Sequence, residues 1–245
     1  MRRRVLTAAL AALCVVVVVG YQMTRPVQAK SDPKVFVPAP DAFDVLPSGF
    51  RVTLAHAYWL YMVQYYGEHL KTDYRFDSLP QIADLVVSLS PKFRQAYISG
   101  AFALIDAGRP DLSYKLLKRG FEQFPDDWHF PHYIGFFLYT FADDKKEGAR
   151  QAGEWYAKSA ELPDAPAWTE RIAADLLSKG GEIKASLLLW AQVYADGDKY
   201  SRDRAVTEMN LVLPEDPDKR MAQLEKLRGD VSEDVYTALV KALTK

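Results

Sequence analysis

Arg94 to Pro125 reads RQAYISGAFALIDAGRPDLSYKLLKRGFEQFP, and the reading of this stretch decides the fold. Tyr97, Ala101 and Leu104 return at helical spacing with Gly100 beside them, a face suited to close packing. Gly108 to Asp111 breaks the chain. A second helix then carries Leu112, Leu116 and Leu117 on one side until Pro125 ends it. Two short helices folded back on each other cannot bury their apolar faces alone, so this hairpin needs neighbours of its own kind.

Weaker echoes lie on both sides. Phe50–Tyr66 is an aromatic-rich helix expected to end at Gly67, and Ser78 is a candidate cap for a partner with Ile82, Leu85, Val86 and Leu89 facing inward. A third pair starts near Asp127 and runs through Tyr139, with a partner over Lys145–Ala160. A fourth turns at Gly180-Gly181 between Leu176 and Ala185. Pair starts near 50, 94, 128 and 167 approximate a period of about 34 residues. Helices over Tyr200–Leu213, Asp218–Arg228 and Ser232–Leu243 lack that signature and are expected to cap the array. No segment sustains the period-two alternation of a strand, so the fold class is all-α.

The central hairpin resembles a tetratricopeptide (TPR) repeat. Its large-x-x-small-small-x-x-large half is Tyr97-x-x-Gly100-Ala101-x-x-Leu104, the turn glycine Gly108, the small helix contacts Ser113 and Gly120, and the closing proline Pro125. Ser113 and Gly120 stand where the family usually has alanine. The resemblance covers roughly residues 50–197 and is strongest at 94–125. It implies a right-handed α-α superhelix of about four helix pairs, with first helices lining a concave groove that binds an extended peptide or a partner's helix.

Helical geometry then selects the groove residues: Ile98, Phe102 and Ile105 in the central repeat, and His129, His132, Phe136 and Tyr139 in the third pair. Leu54, Tyr58, Tyr61 and Tyr65 are the equivalents in the first helix. An apolar, tyrosine-rich lining suits a protein partner that buries hydrophobic side chains. The competing reading is that these aromatics only pack against neighbouring repeats or the chain's own tether.

Composition narrows the classes further. The chain of 245 residues is 49% apolar, enough for a sizeable core. Arg2, Arg3, Arg4 and Arg25 precede Lys30, leaving 27 basic against 32 acidic residues beyond them, a net of −5. A mildly acidic body lacks the basic stripe that nucleic acid requires. The single cysteine, Cys14, lies in the N-terminal apolar run, so the remainder holds no disulfide, thiol nucleophile or thiolate metal site.

Arg2–Arg4 followed by apolar residues 5–21 is an export signal, and the chain beyond residue 21 is expected to face outward across a bacterial inner membrane. Two readings stay open: an uncleaved anchor with a periplasmic domain, or secretion to the periplasm after cleavage behind Ala29. Residues 30–49, with Pro33, Pro38, Pro40 and Pro47, read as a tether to a helical body over 50–197 and capping helices over 198–245.

Catalytic signatures are missing: there is no G-x-x-x-x-G-K-[ST], H-E-x-x-H or G-x-S-x-G, and Asp196-Gly197-Asp198 lacks the later ligands of a calcium loop. His129-x-x-His132 could share a metal with Asp126 or Asp127 as third ligand, but Pro131 lies between the histidines and no further Cys or His is close in sequence, so no metal or cofactor is expected. Glu68-His69 is the one acid/base pair in sequence, but adjacent helical residues diverge by about 100°. The expectation is a non-catalytic adaptor in an envelope assembly (secretion, pilus or surface-polymer machinery). A muramidase-like envelope hydrolase or a passive spacer are the alternatives.

Overall fold

The computed structural model describes residues 36–244. The expected export segment, its cleavage site and residues 30–35 of the tether therefore lie outside the described residues. Among those described, no helix is long and apolar enough to cross a membrane.

Among the described residues eleven α-helices follow one another: α1 Ser48–Lys71, α2 Leu79–Leu89, α3 Arg94–Asp106, α4 Pro110–Gln123, α5 His129–Phe141, α6 Lys145–Ala160, α7 Trp168–Gly180, α8 Ile183–Asp196, α9 Lys199–Val212, α10 Pro217–Glu225 and α11 Glu233–Leu243. The described residues form no β-strand; Arg228 and Val231 make an isolated bridge. From α1 to α9 each helix packs on the next, and α11 returns against α8 and α9.

Boundaries follow local chemistry. Asp144 caps α6 by accepting from the N–H groups of Lys146 (2.9 Å) and Glu147 (3.2 Å), and Asp198, Asp216 and Ser232 cap α9, α10 and α11 in the same way. Gly181 at φ 90° ends α7 in the left-handed conformation that a side chain disfavours, and Gly108 at φ 70° turns α3 into α4. Two boundaries differ from expectation. Gly67 does not end the first helix, because with no strain on its φ the helix runs on to Lys71. Upstream, Pro40–Phe43 form a 3-10 turn, and the Phe43 ring meets Tyr58 edge-on at 6.3 Å, so ordered packing begins before residue 50.

Side chains also join helices two apart, on two separate sides. On one side Trp59 of α1 donates to Ser99 of α3 at 3.0 Å, Phe102 of α3 meets Tyr133 and Phe137 of α5 at 5.1 Å, and Trp128 at the start of α5 and His132 within it meet Trp168 of α7. On the other, Arg119 of α4 reaches Asp84 and Ser88 of α2, and Phe121 of α4 meets Trp155 of α6 at 6.1 Å. Odd and even helices thus contact their own kind as well as their sequence neighbours.

The core runs between those two sides. Tyr97, Ala101, Leu104, Gly100, Leu117 and Phe130 are buried at the central hairpin, as the periodicity requires. Ala149, Ala152, Tyr156, Ala173 and Leu176 fill the α6–α7 contact. Further on, Ala174, Leu187, Trp190, Met209, Leu224, Leu239 and Leu243 make one cluster, so the C-terminal helices share the core of the fourth pair. Close approach is made by glycine: a Cβ on Gly120 would meet Phe130 Cε1 at 2.3 Å, and one on Gly180 would meet the Arg150 backbone at 2.6 Å.

Candidate functional site

The odd-numbered helices carry the open surface of interest. In α3 the buried arc is wide, taking in Ala96, Tyr97, Ile98, Gly100, Ala101, Ala103 and Leu104, because the neighbouring helices cover most of its circumference. The stripe left in contact with solvent is Gln95, Ser99, Phe102 and Asp106. In α5 the open side carries His129, His132, Tyr133, Phe136 and Tyr139, and in α7 Arg171, Asp175 and Lys179.

The sequence-derived groove set divides on this geometry. Phe102, Phe136 and Tyr139 are exposed at 40%, 42% and 38% of their surface, large for aromatic side chains. Tyr58, Tyr61, Ile105, His129 and His132 are half-buried. Ile98 and Tyr65 lie in the core, at 8% and 4% exposure. Ile98 turns inward because the solvent stripe of α3 shares only Phe102 with the stripe chosen by spacing alone and runs through Ser99 and Asp106 in place of Ile98 and Ile105. Tyr65 is covered by the segment between α1 and α2: its hydroxyl donates to the Arg75 carbonyl (3.4 Å) and accepts from the Ser78 N–H (3.3 Å).

Around α5 the aromatics form one connected strip. Phe102 lies edge-on to Tyr133 and Phe137, Phe137 adjoins Phe136 at 5.6 Å, and Phe137 meets Phe141 at 6.2 Å. Such edge-to-face pairs hold the rings in place and leave their outer faces free. At the N-terminal end of α5, Asp127 anchors the strip. It pairs with Arg94 of α3 and accepts from the His129 ring Nδ1 (2.7 Å) and backbone N–H (3.1 Å). Those hydrogen bonds outweigh desolvation and hold its carboxyl below the usual range.

His132 stands apart from His129. Its ring is enclosed by Trp128 (5.7 Å), Tyr133 (5.0 Å), Tyr156 (5.2 Å) and Trp168 (5.2 Å), and its Nδ1 is buried without a hydrogen-bond partner. Burial, reinforced by the nearby His129, pushes its pKa down to about 4, so the ring is neutral at physiological pH. Among the described residues no three His, Cys, Asp or Glu side chains are grouped as metal ligands would be.

One carboxyl was invisible to sequence reasoning. Glu170, half-buried in the first turn of α7, has its pKa pushed up to about 7 by desolvation and then by the charge of Asp196. Its burial arises where α8 ends beside α7, a juxtaposition with no local signal. Glu68, by contrast, is exposed, and the neighbouring His69 ring pairs with Asp73 at 2.6 Å. The acid/base pair in sequence is therefore not a pair in space.

From α5 to α7 the open surface changes character. A cleft of about 420 Å³ runs between α7 and α9, with Trp190 and Ile172 at its base and charged side chains along both walls. A second notch of about 380 Å³ lies between α4, α5 and α6, floored by Tyr114, Phe137 and Phe141. Three of its four rim carboxylates are engaged: Asp111 with Arg109, Glu147 with Arg150, and Asp144 with the start of α6.

Compared with known proteins, the chain matches no family model and no curated sequence. The functional reading therefore rests on the residues themselves.

Proposed function

We propose that this chain is a non-catalytic scaffold of TPR-like construction, a right-handed superhelix of stacked helix pairs whose odd-numbered helices hold a segment of a protein partner. One observation carries the reading: Phe102, Phe136 and Tyr139 are exposed, and the Phe102 and Phe136 rings are fixed by contacts with rings of α5. Rigid aromatic faces bind with little loss of side-chain freedom, and such anchors dominate interface energetics. The working groove is Phe102, Tyr133, Phe136 and Tyr139, flanked by Tyr58, Tyr61, Ile105, His129 and His132 and without Tyr65 and Ile98. Residues 1–29 support a place on the outer face of a bacterial inner membrane, held by residues 5–21 or released by cleavage after Ala29, within an envelope assembly.

Photo-crosslinking tests this. A crosslinker at position 136 should capture a discrete partner that one at Leu211, exposed on α9, does not. The pair Phe102→Ala and Phe136→Ala should abolish capture while leaving helical circular dichroism intact. Equal capture from both positions would reject the groove.

Glu170 favours a second reading, an envelope hydrolase, since a carboxyl titrating near 7 suits a general acid. It needs a substrate cleft beside that carboxyl, and Glu170 lines neither the α7–α9 cleft nor the α4–α6 notch. Unchanged peptidoglycan cleavage by Glu170→Gln would dispose of it.

A further inference from the structure

We infer that the cleft between α7 and α9 is an acidic-residue subsite, taking an Asp or Glu side chain of the same extended partner segment whose apolar residues lie on Phe102 and Phe136. The inference rests on the odd-helix face being the partner surface and adds to it the partner's chemistry.

Two parallel stripes make the walls. Arg171, Asp175 and Lys179 stand one turn apart on α7, facing Arg204 and Glu208 on α9. Both acids are already engaged within their own helices, Asp175 with Lys179 at 2.7 Å and Glu208 with Arg204 at 2.6 Å. Arg171 is the group left over. It makes no hydrogen bond or ion pair with any described residue, and its charge is felt only at a distance, by Asp198. The cleft thus carries three cations against two anions, on a body whose net charge beyond residue 29 is −5. A guanidinium with its donors unspent is the preferred partner of a carboxylate, which it binds through two parallel N–H···O bonds.

The aromatic surroundings say more. Trp168 stands one turn before Arg171, and Tyr200, 70% exposed, one turn before Arg204. The favoured carboxylate is therefore one flanked by an apolar or aromatic side chain. Trp168 also meets Trp128 and His132, and the Lys179 ammonium, favoured chiefly by its bond to Asp175, also feels the Tyr139 hydroxyl. Cleft and aromatic strip are thus adjacent parts of one surface. A nucleic acid would meet Asp175, Glu208 and an acidic body instead of a basic stripe.

Peptide display on the full chain gives the test, with a random 12-residue library as probe. The wild-type protein should enrich peptides that pair an aromatic or large aliphatic residue with an Asp or Glu. Replacing that acid by its amide should weaken binding, read by fluorescence anisotropy, roughly tenfold. The binding should also weaken with added salt. Selection on Arg171→Glu with Arg204→Glu should shift enrichment from acidic to basic peptides. The milder Arg171→Gln should lose the acidic preference alone if the charge reversal unfolds the α7–α9 contact. Enrichment of apolar peptides without acidic bias, unaltered by either variant, would overturn the subsite but leave the groove standing. Failure of the wild-type protein to enrich any peptide, or enrichment insensitive to Phe102→Ala and Phe136→Ala, would overturn the groove and the subsite with it.

Discussion

Replacing Gly120 by alanine should destabilise the protein, although Gly120 lies inside a helix where alanine is intrinsically favoured. The gain is known: alanine beats glycine in a helix interior by about 1 kcal/mol. The cost is set by Phe130, whose Cε1, Cδ1 and Cζ lie 2.3, 2.9 and 3.0 Å from the position the new methyl would take. That ring is fully buried, stacked on Phe124 at 5.7 Å with planes 8° apart and edge-on to Tyr97 at 6.2 Å. It cannot turn aside without displacing both. Overpacking of this kind costs about 1–3 kcal/mol, and three close contacts to one immobile ring argue for the upper end. The net loss is then about 2 kcal/mol, roughly 4–8 °C in Tm for a body of this size.

Gly67→Ala is the matched control. A Cβ there would meet nothing within 4 Å, and α1 continues past it to Lys71, so the helix-propensity gain stands alone, about 0.5–1 kcal/mol of stabilisation. Urea unfolding followed by helical circular dichroism reads both. Chemically identical substitutions should move the midpoint in opposite directions. In a double-mutant cycle, Phe130→Leu should absorb much of the Gly120→Ala penalty, since the two share one contact. Stabilisation by Gly120→Ala, or additive effects in the cycle, would refute the claim that Phe130 sets the α4–α5 spacing.

Stability against pH should show two opposed slopes. Glu170, with its pKa raised to about 7, binds its proton more tightly when folded, so its favourable contribution is present below its unfolded value near 4.3 and lost as pH rises through 7. His132, lowered to about 4, resists protonation when folded, so it costs stability as pH falls from about 6.5 to 4. Glu170→Gln should therefore leave a protein that weakens on acidification, and His132→Gln one that strengthens, each by about 1–2 kcal/mol over that window after allowing for partial solvent screening. Thermal melts between pH 4.5 and 8 decide it, and parallel profiles for the two variants would reject the assignment. Ser159→Ala should cost about 1 kcal/mol by chemical denaturation, because the buried Ser159 hydroxyl donates to the Trp128 carbonyl at 2.8 Å; a neutral result would mean water replaces it.

Helix positions were legible because burial leaves a periodic trace. Ile82, Leu85, Val86 and Leu89 face inward as their spacing says, and Lys145–Ala160 is bounded as read, since Asp144 and the prolines beyond it act locally. The site was half legible. Phe102, Phe136 and Tyr139 are open, yet Ile98 is not, because a stripe's register on a helix depends on how many neighbours cover it. Tyr65 was hidden by the connection between α1 and α2, which folds over it, and Phe76 in that connection is itself buried. The α7–α9 cleft escaped for another reason. Arg171, Asp175 and Lys179 read as an ordinary solvated face until α9 is set opposite them.

Three glycines inside helices play one physical role. Gly120 faces Phe130, a Cβ on Gly135 would meet Tyr156 at 2.7 Å, and one on Gly153 would meet Leu177 at 2.7 Å. At each crossing a large side chain on one helix occupies the volume that an alanine methyl would take on the other. Glycine on one helix and a large, often aromatic, side chain on the other are therefore two views of one exchange of size across the contact. Each such glycine weakens its own helix by about 1 kcal/mol, so α4, α5 and α6 lean on their neighbours for much of their stability. Intrinsic stability that is low and interfaces that are strong make a stacked array unfold as a unit and not helix by helix. Cooperativity of that kind keeps Phe102 on α3 and Phe136 on α5 at a fixed separation, which the proposed binding of an extended partner segment would require.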